Sequence, residues 1–329
     1  MKKVYIKKFA VYVPDTVMTA IEIGKETGIP EEVVREKLGI ISKPVENNLS
    51  LSDLSMKSIE KLFGTKEESL KRLKYLVFAG SDFKDNYIWT MAPSLAARLG
   101  LTDSLSFDLS SQCVGSLVAI DMMKSKVQVE NNRDALISIA TKQSHIVNYG
   151  NKASSFMYDF SDGSGAVLIS EEKGAYEILE SAFLTDGSFS NIVFAPFGES
   201  YMSEPNMWSY KLTVSEENTW RKEMGDATLR NFVNVITDAT TKSGYEIKDI
   251  DYLAFLHTKR SFHRVIMDTL GIEPNRSIFL DNYGHMQGVD PFLSLNLAEQ
   301  NKLLKPGSVI CLVSAGTGWT WGASVILKV

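Results

Sequence analysis

One of the two cysteines in the chain lies where a catalytic nucleophile would be placed. Cys113 follows an alternating apolar run, Leu105, Phe107 and Leu109, which predicts a strand, and it precedes an apolar-spaced segment from Val114 that predicts a buried helix. A thiol at a helix N-terminus lies near the positive end of the helix dipole, which favours the reactive thiolate. The pattern therefore indicates a nucleophile that attacks a carbonyl carbon, although a buried structural cysteine fits it as well.

Two histidines occupy turns of the same kind. His257 follows the apolar run 252–256, a predicted strand, and precedes a predicted helix over 262–270. His285 lies in a turn just before the predicted helix that begins at Pro291. Ligands bind at the carboxyl ends of strands in open α/β sheets, so either imidazole could act in acid–base chemistry or bind an oxyanion. A surface or helix-capping histidine is the alternative at both positions.

The remaining chemical groups argue against several classes of site. The four histidines stand singly, and their spacings do not match the i, i+4 pair of a helical zinc site, so no metal site is expected. Cys311 lies inside the apolar run 309–313 and is expected to be a small core residue. The turn Gly316–Gly322 has the pattern G-x-G-x-x-x-G, which departs from the dinucleotide fingerprint. Such a turn can instead direct backbone N–H groups at a developing negative charge.

Short apolar runs alternate with amphipathic segments along the chain, a pattern typical of an α/β fold. The predicted strands are 4–6 with 9–13, 75–79, 104–109, 135–140, 165–170, 252–256, 309–313 and 323–328. The predicted helices are 30–37, 54–63, 92–99, 114–127, 223–243, 262–270 and 291–301. A glycine-then-strand pattern at 162–170 recurs at 316–328, and no linker separates the two regions. This repetition suggests a duplicated chain with two tightly packed halves.

The composition is that of an ordinary globular protein. The 329 residues are 44% hydrophobic and 23% charged, and 35 Lys and Arg against 40 Asp and Glu give a net charge of −5. An acidic chain without a long basic cluster is not expected to bind nucleic acid. The N-terminus lacks the apolar core of a signal peptide, and no stretch approaches the roughly 18 uncharged apolar residues of a membrane span. We therefore expect a soluble, cytoplasmic enzyme.

Five motifs in order along the chain resemble those of the thiolase-fold condensing enzymes, specifically the β-ketoacyl-acyl-carrier-protein synthase III group. They are Phe107-Asp-Leu-Ser-Ser-Gln-Cys-Val-Gly, Phe160-Ser-Asp-Gly-Ser-Gly-Ala, Tyr252-Leu-Ala-Phe-Leu-His, Asn282-Tyr-Gly-His, and Lys305-Pro-Gly with Gly318-Trp-Thr-Trp-Gly-Ala. The resemblance covers nearly the whole chain. It implies an α/β, thiolase-like duplicated fold of five layers, αβαβα. Residues 1–171 would carry the nucleophile and residues 172–329 two catalytic histidines, in a homodimer.

The resemblance also assigns roles to individual residues. Cys113 would take an acyl group from a thioester, His257 would polarise the carbonyl of the second substrate, and His285 stands at the third catalytic position. The backbone N–H of Cys113 and one from the turn Gly316–Gly318, expected at Thr317, would form the oxyanion hole. The substrates would be acyl-CoA or acyl-carrier-protein thioesters, with no bound cofactor or metal.

His285 is the first of three departures from the family pattern, because the initiating synthases usually have asparagine there. A neutral histidine supplies one N–H donor, much as the asparagine amide does. The elongating ketosynthases use a Cys-His-His set, so His285 is compatible with carbon–carbon bond formation. It leaves equal room for relatives that only transfer an acyl group to oxygen or nitrogen.

The other two departures concern the acyl donor. The family motif His-Gln-Ala-Asn is replaced by His257–Arg260 with the sequence His-Thr-Lys-Arg, and the Trp and Arg that hold coenzyme A align with Val33 and Lys37. The adenine platform is therefore missing, which favours a carrier-protein-bound or otherwise different donor over coenzyme A. Lys259 and Arg260 could meet the acidic surface of a carrier protein, although solvated charges at a helix start fit equally well.

The leading prediction is an acyltransferase in which acyl-Cys113 undergoes decarboxylative Claisen condensation with a malonyl-type thioester, in fatty-acid biosynthesis or a specialised polyketide-type pathway. One alternative is Cys-dependent acyl transfer to an oxygen or nitrogen acceptor on the same fold. Another, from a different class, is a non-catalytic thiolase-fold partner subunit. The aromatic- and Met-rich segment 191–226 is expected to pack in the core or at a dimer interface, and part of it is predicted to line an acyl pocket.

Overall fold

The computed structural model describes residues 2–64, 70–198, 201, 209–215 and 220–329. The strands are β1 (Tyr5–Tyr12), β2 (Val17–Thr19), β3 (Ser42–Pro44), β4 (Leu73–Phe78), β5 (Leu105–Asp108), β6 (Asp134–Lys142), β7 (Asp162–Ser170), β8 (Tyr176–Thr185), β9 (Val193–Phe194), β10 (Thr213–Val214), β11 (Tyr252–Phe255), β12 (Val309–Gly316) and β13 (Thr320–Lys328). The helices are α1 (Ala20–Thr27), α2 (Glu31–Val33), α3 (Leu51–Phe63), α4 (Met91–Arg98), α5 (Gly115–Val129), α6 (Trp220–Lys242), α7 (Arg260–Leu270) and α8 (Asp290–Gln300).

Nine strands form one hydrogen-bonded sheet in the order β11-β12-β13-β8-β1-β7-β6-β4-β5. The strands β1, β7, β6, β4 and β5 come from the first half of the chain, and β8, β13, β12 and β11 come from the second. The two sets meet through a short antiparallel contact between β1 and β8, Tyr5 with Glu177 and Ile6 with Tyr176. The nine-stranded sheet therefore consists of two sheet layers that join at this short contact.

The helices form three layers around these two sheets. The helices α5 and α8 contact strands of both sets and lie between them, where one hydrophobic cluster joins the two halves. The helices α3 and α4 cover the outer face of the first set, and α6 with α7 covers that of the second. The expected α/β fold with five αβαβα layers is thus confirmed. We keep the division into 1–171 and 172–329 as a proposal; the strand grouping, which changes between Ser170 and Tyr176, supports it.

The predicted elements are confirmed, with boundaries shifted by a few residues. The two pieces 4–6 and 9–13 form the single strand β1, whose pairing with β7 shifts register between Ile6 and Lys8. The predicted helix 30–37 is the short helix α2 followed by a π-helical turn, Val34–Leu38. The strand β8 and the helix α1 were not predicted. Among the described residues, no helix is both long and apolar enough to cross a membrane.

Candidate active site

The thiol of Cys113 lies in a tight turn between β5 and α5. The strand ends at Asp108, a 3₁₀ turn covers Gln112–Val114, and α5 follows directly. Gln112 has a φ of +49°, a left-handed conformation that costs energy in a non-glycine residue. The hydroxyl of Ser314 donates to the carbonyl oxygen of Cys113 at 2.7 Å and fixes the turn against β12. Cys113 itself is only 4% exposed, so its thiol faces the protein interior.

The glycine that ends β12 allows the strand to approach the Cys113 backbone. A Cβ at Gly316 would lie 2.6 Å from the carbonyl oxygen of Ser111 and 3.2 Å from the backbone nitrogen of Cys113. A side chain there would displace the turn, which explains glycine at this position. Thr317 follows immediately and lines the same cavities as Cys113. Gly318 has a φ of +86° and forms the bend into β13, away from the thiol.

His285 connects Cys113 to a buried carboxylate. Its Nε2 lies 3.1 Å from the Sγ of Cys113, and its Nδ1 lies 2.6 Å from Oδ2 of Asp290. Asp290 is fully buried and also accepts the backbone N–H groups of His257 at 2.8 Å and Met286 at 2.7 Å. The three side chains form a Cys–His–Asp relay of the type that activates a nucleophile.

Sequence reasoning missed Asp290, although a signal for it was present. Asp290 stands at the start of α8, directly before Pro291, which occupies the first turn of that helix. A carboxylate is favoured at any helix N-terminus because it lies at the positive end of the helix dipole. The residue type alone therefore does not distinguish a helix cap from a catalytic partner. Its position five residues after His285 in the sequence was the only indication of the contact.

The charge on Asp290 decides the protonation state of His285. Burial by itself lowers the pKa of this imidazole, but the carboxylate of Asp290 and the negative charge on Cys113 outweigh that effect and raise the pKa well above its ordinary value. The raised pKa favours the imidazolium form of His285. The Nε2 of this imidazole lies 3.1 Å from the sulfur of Cys113, within reach for proton exchange with a nucleophile.

His257 has the opposite character. Its side chain is fully buried beside the ring of Phe279, with 5.0 Å between ring centroids, and neither ring nitrogen has a hydrogen-bond partner among the described residues. Burial, aided by the positive charge of His285, lowers the pKa of His257 to about 3. His257 is consequently a neutral imidazole that can donate one N–H to a substrate oxygen.

A second carboxylate, also missed by sequence reasoning, lies next to His257. Oδ2 of Asp159 is 3.6 Å from Nε2 of His257, longer than a hydrogen bond. Burial raises the pKa of Asp159 to about 6, with His285 and Lys43 acting in the opposite direction. Asp159 directly precedes the Phe160 motif, and nothing in residue type or spacing indicated that it would face a histidine from the other half of the chain.

The backbone around Asp159 holds His285 in place. The N–H of His285 donates to the carbonyl oxygen of Asp159 at 2.8 Å, and the N–H of Ser161 donates to that of His285 at 2.9 Å. The buried ammonium group of Lys43 donates to the carbonyl oxygens of Tyr158 at 2.8 Å and Phe160 at 2.6 Å. Burial lowers the pKa of Lys43 to about 7. This bonded segment fixes His285 relative to Cys113.

Two cavities meet at Cys113. A larger one of about 590 Å³ is lined by Phe83, Tyr87, Phe194, Phe197 and Tyr210 among others, and a smaller one of about 280 Å³ by Phe156, Met224, Phe232, Phe262 and Trp319. Cys113, Phe160 and Thr317 line both cavities. The smaller cavity also contains His257 and His285, so the structure brings the three sequence-predicted side chains together. Of the aromatic and Met residues predicted in 191–226, Met202, Met207 and Trp208 lie outside the described residues.

The two basic residues after His257 are placed differently. Lys259 is exposed and lines the smaller cavity, so it marks the opening of that cavity. Arg260 is paired with Asp281 at 2.6 Å and lies over the ring of Phe279 at 4.4 Å, outside the cavity lining. The π-helical turn that contains Lys37 packs against α7, on the same side of the molecule.

The chemical capacity of the site follows from these groups. It combines a thiol beside an imidazolium, a neutral imidazole donor, and backbone N–H groups at the meeting point of two cavities. This set suits attack of a thiolate on a carbonyl carbon and stabilisation of the oxyanion that forms. Within the ranges that the structure describes, no three His, Cys, Asp or Glu side chains cluster as metal ligands.

Comparison with known proteins links this site to a family. The family model described as 3-oxoacyl-[acyl-carrier-protein (ACP)] synthase III matches residues 107–187, and the model for its C terminal matches residues 240–328. A β-ketoacyl-[acyl-carrier-protein] synthase III of Clostridium novyi is 24% identical over 330 residues, covering 99% of both chains. A solved synthase III of Thermus thermophilus superposes with a TM-score of 0.85 at 22% identity over 98% of both chains. The priming β-ketosynthase of the R1128 polyketide pathway gives 0.84 at 16% identity, over 99% of this chain and 97% of that one.

These matches agree with the geometry of the site. The solved structures share the fold over nearly the whole chain. The two family models together match just over half of the chain, and they fall on the segment that contains Cys113 and on the segment that contains His257 and His285. The chain therefore belongs to the β-ketoacyl-acyl-carrier-protein synthase III family of thiolase-fold condensing enzymes.

Proposed function

We propose that the protein is an acyl-transferring condensing enzyme. Cys113 takes an acyl group from a thioester and passes it to the carbon atom of a malonyl-type thioester, with loss of carbon dioxide. The observation that carries this proposal is the position of the Cys113 thiol at the junction of two cavities, with an imidazolium 3.1 Å away and a neutral imidazole in the smaller cavity.

Acyl loading uses the pair formed by Cys113 and His285. The thiolate attacks the thioester carbonyl carbon, and the resulting oxyanion faces the backbone N–H groups of Cys113 and Thr317. The bond to the donor sulfur then breaks, and the departing thiolate takes the Nε2 proton of His285. This transfer leaves His285 neutral at Nε2. In the condensation route His285 then takes a proton from water before the second substrate reacts, because Asp290 raises its pKa.

The condensation uses both imidazoles as donors. The carbonyl oxygen of the malonyl thioester accepts N–H groups from His257 and His285, which stabilise the enolate that forms as the carbon–carbon bond to the carboxylate breaks. The enolate carbon attacks the acyl-Cys113 carbonyl, and the carbon–sulfur bond to Cys113 breaks. The released thiolate pairs again with His285. Electrons and protons balance without a cofactor or metal.

The two cavities suit the two substrates. The larger cavity has aromatic walls that include Phe194, Phe197 and Tyr210, and these walls can hold an acyl chain, although charged side chains such as Lys84 and Asp85 also line it. The smaller cavity opens beside Lys259 and admits the thioester arm. The curated relatives are named for an acyl carrier protein. Lys259, which has no ion-pair partner within the described ranges, stands at the opening, and Val33 offers no adenine platform. Both features favour a carrier-protein thioester over acyl-CoA.

We also propose a homodimer built on the edge strand β5. This strand ends the sheet and has no neighbour on its outer side among the described residues. Leu105 on β5 is 58% exposed and Val129 at the end of α5 is 78% exposed. The loop that carries Ile88, 89% exposed, is tied to the end of β5 because Asp108 accepts the N–H groups of Met91 and Ala92. An unpaired strand flanked by apolar side chains suits pairing with a second copy.

A second candidate function is acyl transfer to an oxygen or nitrogen acceptor. The relay from Asp290 through His285 to Cys113 favours it, because a neutral His285, formed when the donor thiol departs, is placed to take a proton from an attacking O–H or N–H group. Both functions share the acyl-Cys113 intermediate and differ in the second substrate.

The test is intact-protein mass spectrometry after incubation with acyl-carrier-protein and acyl-CoA thioesters of increasing chain length. Wild type should gain one acyl group, and Cys113→Ala should gain none. Malonyl thioester is then added, and release of carbon dioxide with a β-ketoacyl product identifies condensation. Wild type that gains no acyl group from any donor overturns both functions. Full product formation by Cys113→Ala in a native complex would instead identify a non-catalytic partner subunit.

A further inference from the structure

The smaller cavity contains a carboxylate that condensation does not use. Its walls are mainly apolar, formed by side chains such as Phe156, Met224 and Phe262. Asp159 lines this cavity and is only 8% exposed. Its Oδ1 is buried and has no hydrogen-bond partner among the described residues. A buried carboxylate oxygen without a partner is costly, so its presence in the cavity that Cys113 also lines points to a ligand.

The neighbouring groups do not neutralise Asp159 by direct contact. The nearest charged or titratable groups are Lys43, His257, His285 and Asp290. The Nζ of Lys43 is bound to two backbone carbonyl oxygens, His257 is neutral and 3.6 Å away, and His285 is engaged by Cys113 and Asp290. Asp159 therefore offers an acceptor with a net preference for a positive or hydrogen-bond-donating group.

We propose that the smaller cavity also receives an amine as second substrate, and that Asp159 is the specificity-determining residue that binds its nitrogen. The inference rests on the acyl-Cys113 intermediate of the proposed function and names a substrate class for it beyond the malonyl-type thioester. Thr228 and Trp319 line the same cavity, and each has a buried polar atom without a hydrogen-bond partner among the described residues, Oγ1 and Nε1 respectively.

Asp159 has opposite effects on the two classes of second substrate. A malonyl carboxylate brought into this cavity would meet a second negative charge in apolar surroundings, where repulsion is strong. An amine would meet a complementary acceptor. Asp159 thus sets how the acyl-enzyme is divided between carbon–carbon and carbon–nitrogen bond formation.

The transfer step balances with the groups already present. The nitrogen lone pair of the uncharged amine attacks the carbonyl carbon of acyl-Cys113 while Asp159 accepts a hydrogen bond from one N–H. The carbon–nitrogen bond forms, the carbon–sulfur bond breaks, and Sγ of Cys113 leaves as a thiolate. The proton lost from nitrogen passes to neutral His285, which restores the thiolate–imidazolium pair. The products are an amide and the free enzyme.

The first experiment needs no acyl-enzyme. Alkylation of Cys113 by iodoacetamide is measured in the presence of butylamine or of butyrate, which has a similar chain and the opposite charge. Butylamine should protect wild type at a lower concentration than butyrate does. Asp159→Asn keeps the size of the side chain but removes its charge. Its protection should require about 10- to 100-fold more butylamine than wild type, the range expected for loss of one charged hydrogen bond. Its protection by butyrate should require a lower concentration than in wild type. Asp268→Asn, which removes an exposed carboxylate from α7, is the matched control and should behave as wild type.

The second experiment uses the acyl-enzyme. The deacylation rate with butylamine, followed as amide product, is compared with the rate with malonyl-CoA for wild type, Asp159→Asn and Asp268→Asn. The ratio of the two rates should fall about 10- to 100-fold in Asp159→Asn alone. An unchanged ratio overturns the inference. If no acyl-enzyme forms, the proposed function itself fails. In the alkylation experiment, equal protection of wild type by butylamine and butyrate would overturn the role of Asp159 independently of acyl-enzyme formation.

Discussion

Replacing Asp290 by asparagine should remove the reactivity of Cys113 below neutral pH. In the native site, Oδ2 of Asp290 lies 2.6 Å from Nδ1 of His285, and this carboxylate opposes the effect of burial on the imidazole. Without the negative charge of Asp290, burial is opposed only by the contact with Cys113, so the pKa of His285 falls. The imidazole is then neutral near pH 7, and the thiolate of Cys113 loses its positive partner.

The size of the effect follows from the contact that is lost. A hydrogen bond to a charged group contributes about 1.5–3 kcal/mol, which corresponds to roughly 10- to 100-fold in the population of the ion pair. Because the thiolate is the nucleophile, the rate of Cys113 alkylation should fall by the same factor on the acidic side. At high pH the thiol ionises without help, so the rates of wild type and variant should converge there.

The assay is the rate of Cys113 alkylation by iodoacetamide between about pH 5 and pH 9, a range chosen to span thiol ionisation. His285→Gln, which leaves Asp290 in place but cannot carry a positive charge, should give the same pH profile as Asp290→Asn. Asp290 also accepts two backbone N–H groups, so thermal unfolding is measured in parallel to separate a folding defect from a chemical one. A wild-type pH profile in a folded Asp290→Asn protein would refute the relay.

Three further predictions concern stability, the nucleophile turn and assembly. The pKa of Asp159 is raised to about 6 in the fold, so the native state holds its proton to higher pH than the unfolded chain and wild-type stability falls as pH rises from about 4 to 6. Asp159→Asn lacks this fall and should gain about 3 kcal/mol relative to wild type between pH 4 and pH 8 in urea unfolding. Gly316→Ala places a Cβ 2.6 Å from the carbonyl oxygen of Ser111, and it should slow acylation of Cys113 at least about tenfold in a folded protein, measured by intact mass. Leu105→Lys should convert a dimer to a monomer in light scattering, and an unchanged mass would exclude β5 from the interface.

The sequence predicted most of the layers because the buried strands are continuous apolar runs. The strand β8 was missed because glutamates at 177 and 180 interrupt its apolar side chains, although it pairs with both β1 and β13 in the sheet. The helix α1 was missed in spite of an available signal. Thr19 and Glu22 form a capping box, in which each side chain bonds the backbone N–H of the other residue. That short pattern identifies the start of the helix.

The sequence predicted those site residues whose local setting, a turn next to a strand or helix, can be recognised one residue at a time. Cys113, His257 and His285 stand in turns after strands or before helices, and turns of this kind collect at one edge of a sheet. Contacts between segments that are distant in sequence are not indicated by such local patterns. The placement of Asp159 beside His257 depends on the packing of β7 and its preceding segment against the second half. The pairing of Arg260 with Asp281 likewise removes from the cavity a charge that the sequence placed beside Lys259.

The two carboxylates explain how one cavity can hold two imidazoles of opposite character. His285 and His257 are both buried, and burial alone would leave both neutral. Asp290 lies within hydrogen-bond distance of His285, so its charge overcomes burial, whereas Asp159 is 3.6 Å from His257 and does not. A difference of about one ångström in carboxylate distance thus separates a proton carrier from a neutral donor. Asp290→Glu and Asp159→Glu each keep the negative charge but move the carboxylate by one side-chain carbon. Either substitution should therefore alter which of the two histidines, His285 or His257, carries a proton, even though the charge of the site is unchanged.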